Sequence, residues 1–190
     1  MNLVIFGPPG AGKGTQSNLI VKKFQLHQVS TGELLRDEIK KNSTLGNQIS
    51  SIINAGNLVS DSIVGNLIEK FISNEDYKNR LIFDGYPRNL AQAKNLDYLL
   101  KKYDQKINLV LKLSVSLDTI KKRISERKDL EKRVDDTEEI AIKRYVNYEN
   151  NIKTVIEFYK QSNLLRVVDG EASITEISSE ISGLMESIKG

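Results

Sequence analysis

The sequence predicts an α/β fold in which a five-stranded parallel sheet carries helices on both faces. Short apolar segments alternate along the chain with segments of helical periodicity, and this alternation is typical of a parallel sheet. The five segments are Leu3–Phe6, His27–Val29, Leu81–Asp84, Leu109–Leu113 and Leu164–Val168. No repeat, low-complexity tract or proline-rich linker interrupts the 190 residues, so we expect a single domain.

The first strand leads into a glycine-rich loop, Gly7-Pro8-Pro9-Gly10-Ala11-Gly12-Lys13-Gly14-Thr15, and then into a helix over Thr15–Phe24 with Leu19, Ile20 and Phe24 on one face. A strand, glycine loop and helix in this order indicate a phosphate-binding loop. Its N–H groups can surround an anion at the positive end of the helix dipole. Lys13 can then reach the outer phosphates of a nucleotide. The alternative is a glycine-rich turn without function, whereas the glycine spacing does not fit a dinucleotide-binding fingerprint.

Between the second and third strands lies an excursion from Thr31 to about Ile72, which is too long for one crossover helix. We interpret it as two helices, a stop at Gly56 and a new helix from Ser60, forming a lobe over a site. Capping boxes predict helix starts at Ser30/Glu33, Asp136/Glu139 and Ser173/Glu176. Apolar stripes predict a long helix over Asp136–Gln161 and a last helix with its core stripe from Ile174 to Ile188.

Composition excludes several classes of protein. A net charge of +3 is too small to indicate nucleic-acid binding, and no apolar run is long enough to span a membrane. The chain enters its first strand without a basic, cleavable leader, so we expect a cytoplasmic protein. The absence of cysteine excludes disulfides and thiolate metal sites. The single histidine, His27, lies in a strand-like segment, and we interpret it as structural.

Asp84 ends an apolar strand and is followed at once by Gly85-Tyr86-Pro87-Arg88. Ligands of open α/β sheets bind outside the carboxyl ends of the strands, which would place Asp84 beside the glycine loop. There it could orient magnesium-bound water next to phosphates. The alternative is an acid that only begins a turn.

Four motifs in chain order resemble the nucleoside monophosphate kinases, and within them the adenylate kinases. They are GPPGAGKGTQ at 7–16, STGELLR at 30–36, DGYPR at 84–88, and RVDD at 133–136 with Arg144 beyond it. The resemblance covers nearly the whole chain. It implies a P-loop three-layer fold with a small helical monophosphate-binding lobe at 30–59. It also implies phosphoryl transfer from Mg-ATP to AMP, giving two ADP, by direct in-line attack.

The resemblance also implies roles for individual residues. Lys13, Arg88, Arg127, Arg133 and Arg144 would be catalytic, and Asp84 would contact Mg²⁺ through water. The ATP site would comprise Gly10, Ala11, Gly12, Lys13, Gly14, Thr15, Arg123, Arg127 and Ala172. The AMP site would comprise Thr31, Arg36, Asn57, Leu58, Val59, Gly85, Tyr86, Pro87, Arg88, Gln92, Arg133 and Arg144. Gly14 follows the lysine where many phosphate loops carry Ser or Thr, so the hydroxyl comes one position later, at Thr15.

Only Lys128–Lys132 separates Arg127 from Arg133, so the resemblance is to the short-lid form, with a lid loop at 127–133 and no structural zinc. We expect a monomer that binds ATP, AMP and ADP, and neither nucleic acid nor membrane.

Thr31 and Gln92 favour adenine, because relatives that phosphorylate UMP and CMP usually carry alanine and asparagine there. Three alternatives stay open: a UMP/CMP kinase, a nucleotide-binding switch without an acceptor, and a helix-capping role for Gln92 three residues after Asn89.

Overall fold

The computed structural model describes residues 1–54, 57, 59–131 and 138–189, and within this part the side chains of 127–131, 138 and 189 are not described. Five strands form one all-parallel sheet: β1 (Asn2–Phe6), β2 (His27–Ser30), β3 (Leu81–Asp84), β4 (Ile107–Ser114) and β5 (Leu165–Asp169). Each lies within two residues of the predicted segment at either end. The predicted α/β fold is confirmed.

Helices connect the strands, and a single-turn 3-10 helix at Glu75–Tyr77 precedes β3. The helices are α1 (Lys13–Phe24), α2 (Thr31–Lys40), α3 (Thr44–Asn54), α4 (Asp61–Ile72), α5 (Leu90–Lys102), α6 (Leu117–Glu131), α7 (Glu138–Gln161) and α8 (Ile174–Lys189). The excursion after β2 is helical as predicted, with α2 packed on α3 and α4 starting directly after Ser60. Gly56 and Asp136 lie outside the described residues.

The sheet order is β2-β3-β1-β4-β5, so the chain passes from one side of β1 to the other between β3 and β4. Such a reversal marks the point where open α/β sheets bind ligands, beyond the carboxyl ends of the strands. Ile5 is aligned with Asp84 on β3, and Ser30 is aligned with Asp84 from the other side. The glycine loop, the start of α2 and the Asp84–Arg88 turn therefore meet at one sheet edge.

Two hydrophobic clusters cover the two faces of the sheet. Alternate residues of β1 point to opposite sides, as a strand requires. Leu3 and Ile5 pack with residues of α1 and α8, whereas Val4 and Phe6 pack with residues of α2 to α5 and α7. Helices on both faces thus bury strands that are apolar throughout, which explains the continuous apolar runs in the sequence.

Several details differ from the sequence-based expectations. Leu19, Ile174 and Ile188 are exposed, so α1 buries fewer of its predicted apolar residues and the buried stripe of α8 is shorter than the spacing suggested. Residues 127–131, predicted as the beginning of a lid loop, continue α6. No proline or glycine occurs there to end the helix. Only residues 132 and 133 of the predicted loop lie beyond α6, and they are outside the described residues.

Of the described helices, none combines the length and the apolar character that crossing a bilayer requires.

Candidate active site

The glycine loop joins β1 to α1 and has two glycines in the left-handed region. Gly10 has φ +86° and Gly12 has φ +89°, which other residues rarely adopt. A Cβ on Gly10 would also lie 3.1 Å from Cγ1 of Ile124 on α6. The backbone path of the loop thus depends on glycine both for its torsion angles and for its contact with α6.

Lys13 is the first residue of α1, and its ammonium group turns back over the loop. Nζ donates hydrogen bonds to the carbonyl oxygens of Gly7 (2.8 Å) and Pro8 (3.1 Å). The first turn of α1 contains no acidic residue, and its N-cap, Gly12, provides no side-chain cap. The positive end of the helix and the lysine therefore face the same loop, which favours an anion there. Lys13 is half-buried.

Arg123 connects α6 to two segments of the predicted ATP site. Its Nη2 donates to the carbonyl oxygen of Gly170 at 2.9 Å, and its Nη1 to that of Ala11 at 3.4 Å. Gly170 lies two residues before Ala172 in the connection from β5 to α8. The structure thus brings Arg123, the glycine loop and the Ala172 segment together. Gly14 and Thr15 are exposed on the first turn of α1.

Asp84 ends β3 beside the glycine loop. Its Oδ2 accepts a hydrogen bond from Nε2 of Gln28 at 3.2 Å. Gln28 lies two residues before Ser30, the residue aligned with Asp84, and so occupies the same face of the sheet. We did not identify Gln28 from the sequence, although a polar residue inside a short strand was the available signal.

Mg²⁺ prefers oxygen ligands and usually keeps several waters while one or two carboxylates and the substrate phosphates complete its shell. The carboxylate of Asp84, oriented by an amide, next to a loop suited to phosphates, fits this requirement. Among the described residues, no group of three or more His, Cys, Asp or Glu side chains is placed to hold a metal ion. The carboxylate of Asp84 therefore suits a magnesium ion whose other ligands are water and substrate phosphates.

The charges of Arg144 on α7 and of Asp84 both act on Arg88, although Arg144 is far from it in the sequence. Burial lowers the pKa of Arg88 most, and the positive charge of Arg144 lowers it further, while Asp84 acts in the opposite direction. Arg88 nevertheless remains exposed to solvent, and its Nε donates to the carbonyl oxygen of Gly85. An arginine starts from so high a pKa that it keeps its charge at neutral pH. Two neighbouring guanidinium groups repel one another, and a bound phosphate would relieve that repulsion.

A narrow pocket lies between α2, α4 and the turn after β3. Its volume of about 250 Å³ includes solvent outside its mouth, and the enclosed part is about the size of one water molecule. Five predicted AMP-site residues line it, together with two apolar residues that we had not singled out. The lining residues are Thr31, Val59, Gly85, Arg88 and Gln92, with Leu35 and Val64. An apolar wall with a few polar groups suits a flat base whose edge carries hydrogen-bonding atoms.

Short contacts order the floor of this pocket. The hydroxyl of Thr31 donates to the carbonyl oxygen of Gly85 at 3.0 Å, and Nε of Arg88 donates to the same oxygen at 2.7 Å. Gly85 has φ +78°, and a Cβ there would lie 2.6 Å from the Thr31 hydroxyl. A side chain at position 85 would therefore displace Thr31.

The other predicted acceptor residues occupy varied positions. The guanidinium of Arg36 lies over Gly32, one turn back on α2 and next to Thr31. Asn57 is exposed. Tyr86 is buried and its hydroxyl accepts a hydrogen bond from Asn95, so its side chain is directed away from this pocket. Pro87 is buried beside it. Leu58, Arg133, Asp135 and the side chain of Arg127 lie outside the described part of the structure.

Gln92 is 2% exposed, and both ends of its side-chain amide have protein partners. Oε1 accepts a hydrogen bond from the backbone N–H of Arg88 at 2.7 Å, and Nε2 donates to Oδ1 of Asp61 at 2.7 Å. Asn89 does cap α5, because its Oδ1 accepts from the N–H of Gln92. In a capping box the Gln92 side chain would accept a hydrogen bond from the backbone N–H of Asn89. Here it contacts Arg88 and Asp61 instead.

The chain was compared with known proteins. A sequence model of the family described as "Adenylate kinase" matches residues 5–164. An adenylate kinase from Pelagibacter ubique (strain HTCC1062) is 41% identical, over 98% of this chain and 100% of its own. One from Xylella fastidiosa (strain M12) is 41% identical over 95% and 97%, and one from Stenotrophomonas maltophilia (strain R551-3) is 39% identical over the full length of both. This chain belongs to the adenylate kinase family.

Proposed function

We propose that the protein is an adenylate kinase that transfers the terminal phosphoryl group of Mg-ATP to AMP. An oxygen of the AMP phosphate attacks the γ-phosphorus in line, the bond to the β–γ bridging oxygen breaks, and two ADP molecules result. No covalent enzyme intermediate is needed. The observation that carries the proposal is that Arg88 lines one pocket with Thr31 and Gln92, while Asp84, four residues before it, is aligned with the strand that leads into the glycine loop.

The donor nucleotide would bind along the glycine loop. The amides of 10–15 would hold the β- and γ-phosphates, and Lys13 would leave the carbonyl oxygens of Gly7 and Pro8 to contact them. Arg123 and Ala172 would contact the adenosine, because Arg123 joins the loop to the segment that contains Ala172. Arg127 would meet the phosphates from the next turn of α6.

The acceptor would bind in the pocket beside α2, with its base between Leu35 and Val64 and its base edge at Thr31 and Gln92. Asn57, Leu58 and Val59 would lie along the nucleotide, and Gly85, Tyr86 and Pro87 would provide backbone and packing. Arg36 and Arg88 would bind the monophosphate through paired N–H groups, which a guanidinium supplies and an ammonium does not.

Charge neutralisation would come from Lys13, Arg88, Arg127, Arg133 and Arg144. The phosphoryl group in flight is anionic and needs little covalent help, so aligned cations and positioned substrates lower the barrier. Mg²⁺ supplies further neutralisation when it is bound with ATP. Asp84 would contact its water shell, and Gln28 would keep the Asp84 carboxylate in the required orientation.

Water must be kept from the transferring group, because it would otherwise accept the phosphoryl group in place of AMP. We propose that residues 30–59 act as a lobe that closes over the sheet edge, with hinges near Ser30 and Ser60. Residues 132 and 133, beyond α6, would complete a short lid. We further propose that the protein acts as a monomer. The cysteine-free composition supports a cytoplasmic location.

The experiment that tests this function offers Mg-ATP with AMP, UMP, CMP and GMP in separate reactions and measures ADP formation. We expect AMP to be preferred by about a hundredfold or more, because a buried edge that hydrogen-bonds one base penalises the others. Comparable turnover of UMP or CMP would favour a pyrimidine kinase on the same fold. Binding of ATP without transfer to any acceptor would overturn the proposed function.

A further inference from the structure

The interaction between α4 and α5 involves an acidic residue to which we assigned no role. Asp61 is the first residue of α4, and its carboxylate faces the start of α5. Oδ1 accepts a hydrogen bond from Nε2 of Gln92 at 2.7 Å, and both carboxylate oxygens lie 3.1 Å from Nδ2 of Asn89. One carboxylate thus holds the capping residue of α5 and the buried amide of the acceptor pocket.

These partners determine which way the Gln92 amide points. A carboxylate only accepts hydrogen bonds, and a backbone N–H only donates. Asp61 therefore requires the Nε2 end of the amide, and the N–H of Arg88 requires the Oε1 end. A reversed amide would place its carbonyl oxygen against the carboxylate and its NH₂ against the N–H of Arg88. Together, the contacts with Asp61 and with the N–H of Arg88 exclude the reversed orientation of the Gln92 amide.

The fixed amide keeps part of its capacity for a ligand. A glutamine side chain has two donor hydrogens and two acceptor lone pairs, and the protein uses one of each. One donor and one acceptor remain, in a side chain that lines the pocket. Adenine presents an amino donor next to a ring-nitrogen acceptor, so an amide of fixed orientation can satisfy both atoms. Hypoxanthine presents a carbonyl acceptor next to a ring N–H donor, which is the reverse pattern.

We propose that Asp61 is the positioning residue that fixes the orientation of the Gln92 amide and thereby sets the discrimination between AMP and inosine monophosphate. The proposal rests on the proposed function, since it concerns the acceptor site of that reaction. Asp61 is exposed on its outer side and does not line the base pocket, so it acts through Gln92 and not on the substrate. Because it begins α4, it also links the segment after Val59 to the start of α5.

The test measures kcat and KM for AMP and for inosine monophosphate, at saturating Mg-ATP, in the wild-type protein and in Asp61→Asn, Asp61→Ala and Asp61→Glu. Asparagine both donates and accepts, so it pairs with either orientation of the amide. We expect Asp61→Asn and Asp61→Ala to lower the AMP-to-IMP ratio of kcat/KM by about tenfold, the size of one hydrogen bond. KM for AMP should rise, while kcat at saturating AMP and KM for ATP should change less than twofold or so. Asp61→Glu, which still only accepts, should keep most of the discrimination.

Asp118→Asn is the matched control, because Asp118 is an exposed acid in the first turn of α6 and has no place in either proposed nucleotide site. It removes a helix-dipole contact of the same kind and should leave the AMP-to-IMP ratio unchanged. An unchanged ratio in Asp61→Asn, with KM for both acceptors altered equally, would overturn the proposal and leave Asp61 as a helix-starting acid only. Absence of AMP phosphorylation by the wild-type protein would instead overturn the proposed function.

A second measurement does not depend on activity. In the nucleotide-free protein, the two side-chain NH₂ protons of Gln92 should have well-separated NMR resonances, because one is held by the carboxylate. Asp61→Asn or Asp61→Ala should bring these resonances closer together and speed their exchange with solvent. Resonances that are identical in the wild type and both variants would contradict the proposed positioning.

Discussion

At the scale of single residues, the central feature is the pair of arginines beside Asp84. The positive charge of Arg144 lowers the pKa of Arg88, so the two positive charges repel one another. Arg88 also donates to the carbonyl oxygen of Gly85, which keeps its guanidinium at the floor of the pocket. Such an arrangement costs free energy in the absence of an anion and favours binding of a phosphate.

Arg88→Lys should lower kcat/KM for AMP by about a hundredfold, on the order of 3 kcal/mol in transition-state stabilisation. A lysine keeps the charge but loses the paired N–H groups and the contact with Gly85. Arg80→Lys is the matched control, since Arg80 lies at the other end of β3, is exposed and donates to the carbonyl oxygen of Gln25. If Arg88→Lys were as active as Arg80→Lys, the acceptor phosphate would bind elsewhere.

The residues that sequence motifs identified are those whose chemistry depends on local order along the chain. Lys13, Thr31 and Arg88 each lie in a motif directly after a strand, so the topology alone brings them to one edge. Neither Gln28 nor Asp61 lies in such a motif. Their roles depend on a diagonal contact across two strands and on a contact between two helices, and neither follows from spacing within one segment.

At the scale of elements, helix starts show what a capping pattern can and cannot predict. Ser173 and Glu176 form the predicted reciprocal pair, because each side chain accepts from the other's backbone N–H. Ser30 also precedes its helix directly, as predicted, but makes no side-chain cap. Ser30 belongs to β2, and its backbone is extended by pairing with β3, so the strand determines where α2 begins.

Ser173→Ala should therefore destabilise the protein by about 1 kcal/mol, measured as the free energy of unfolding in denaturant. Ser30→Ala, which removes the same hydroxyl from a helix start without a capping bond, should cost less than half of that. Equal losses would mean that the capping pair at α8 contributes nothing of its own. The comparison isolates the hydrogen bond, because both changes remove a single oxygen atom.

His27 gives β2 a dependence on pH. Its ring stacks on Tyr77 at 3.9 Å between centroids and on Phe71 at 5.7 Å. Burial lowers the pKa of His27 below its usual 6.5, and the charge of Arg80 lowers it further. As the pH falls below about 6.5, the unfolded chain binds a proton before the folded protein does. The stabilisation is thus complete above the unfolded pKa and is lost as the pH falls toward the folded one.

The free energy of unfolding should therefore fall as the pH is lowered through and below about 6.5, and His27→Phe should remove part of that fall. Phenylalanine keeps an aromatic ring in the stack and does not titrate. Denaturant titrations of both proteins across this range measure the difference. A wild-type protein and a variant with the same pH dependence would show that His27 titrates alike in the folded and unfolded chains.

At the scale of the whole molecule, the sheet and its two hydrophobic clusters were predictable because apolar runs and helical stripes report burial directly. The ends of the stripes were less predictable. Ile174 is 58% exposed although it fits the period of α8, because this residue is the first of the helix and lies outside the buried cluster that α8 joins. Periodicity gives the face of a helix, and only tertiary packing decides how far along the helix that face is covered.

The two proposed nucleotides would be shielded by motion of α2 and α3 toward the sheet. A bisubstrate mimic that joins two adenosines through phosphates should slow hydrogen exchange over Thr31–Asn54 more than either ATP or AMP alone. Amides of β1 and β4, in the middle of the sheet, serve as the internal reference and should change little. Exchange over Thr31–Asn54 that is no slower with the mimic than with ATP would contradict closure on two nucleotides.

The most direct test of the central claim supplies ADP and Mg²⁺ and nothing else. Two bound ADP molecules should exchange a phosphoryl group, so phosphorus NMR should show ATP and AMP appearing in equal amounts, without inorganic phosphate, until equilibrium. Lys13→Met should slow this conversion by about a hundredfold or more, because the charge over the loop is lost. Inorganic phosphate appearing with AMP, or ADP that stays unchanged in the wild-type protein, would contradict transfer between two nucleotides at this site.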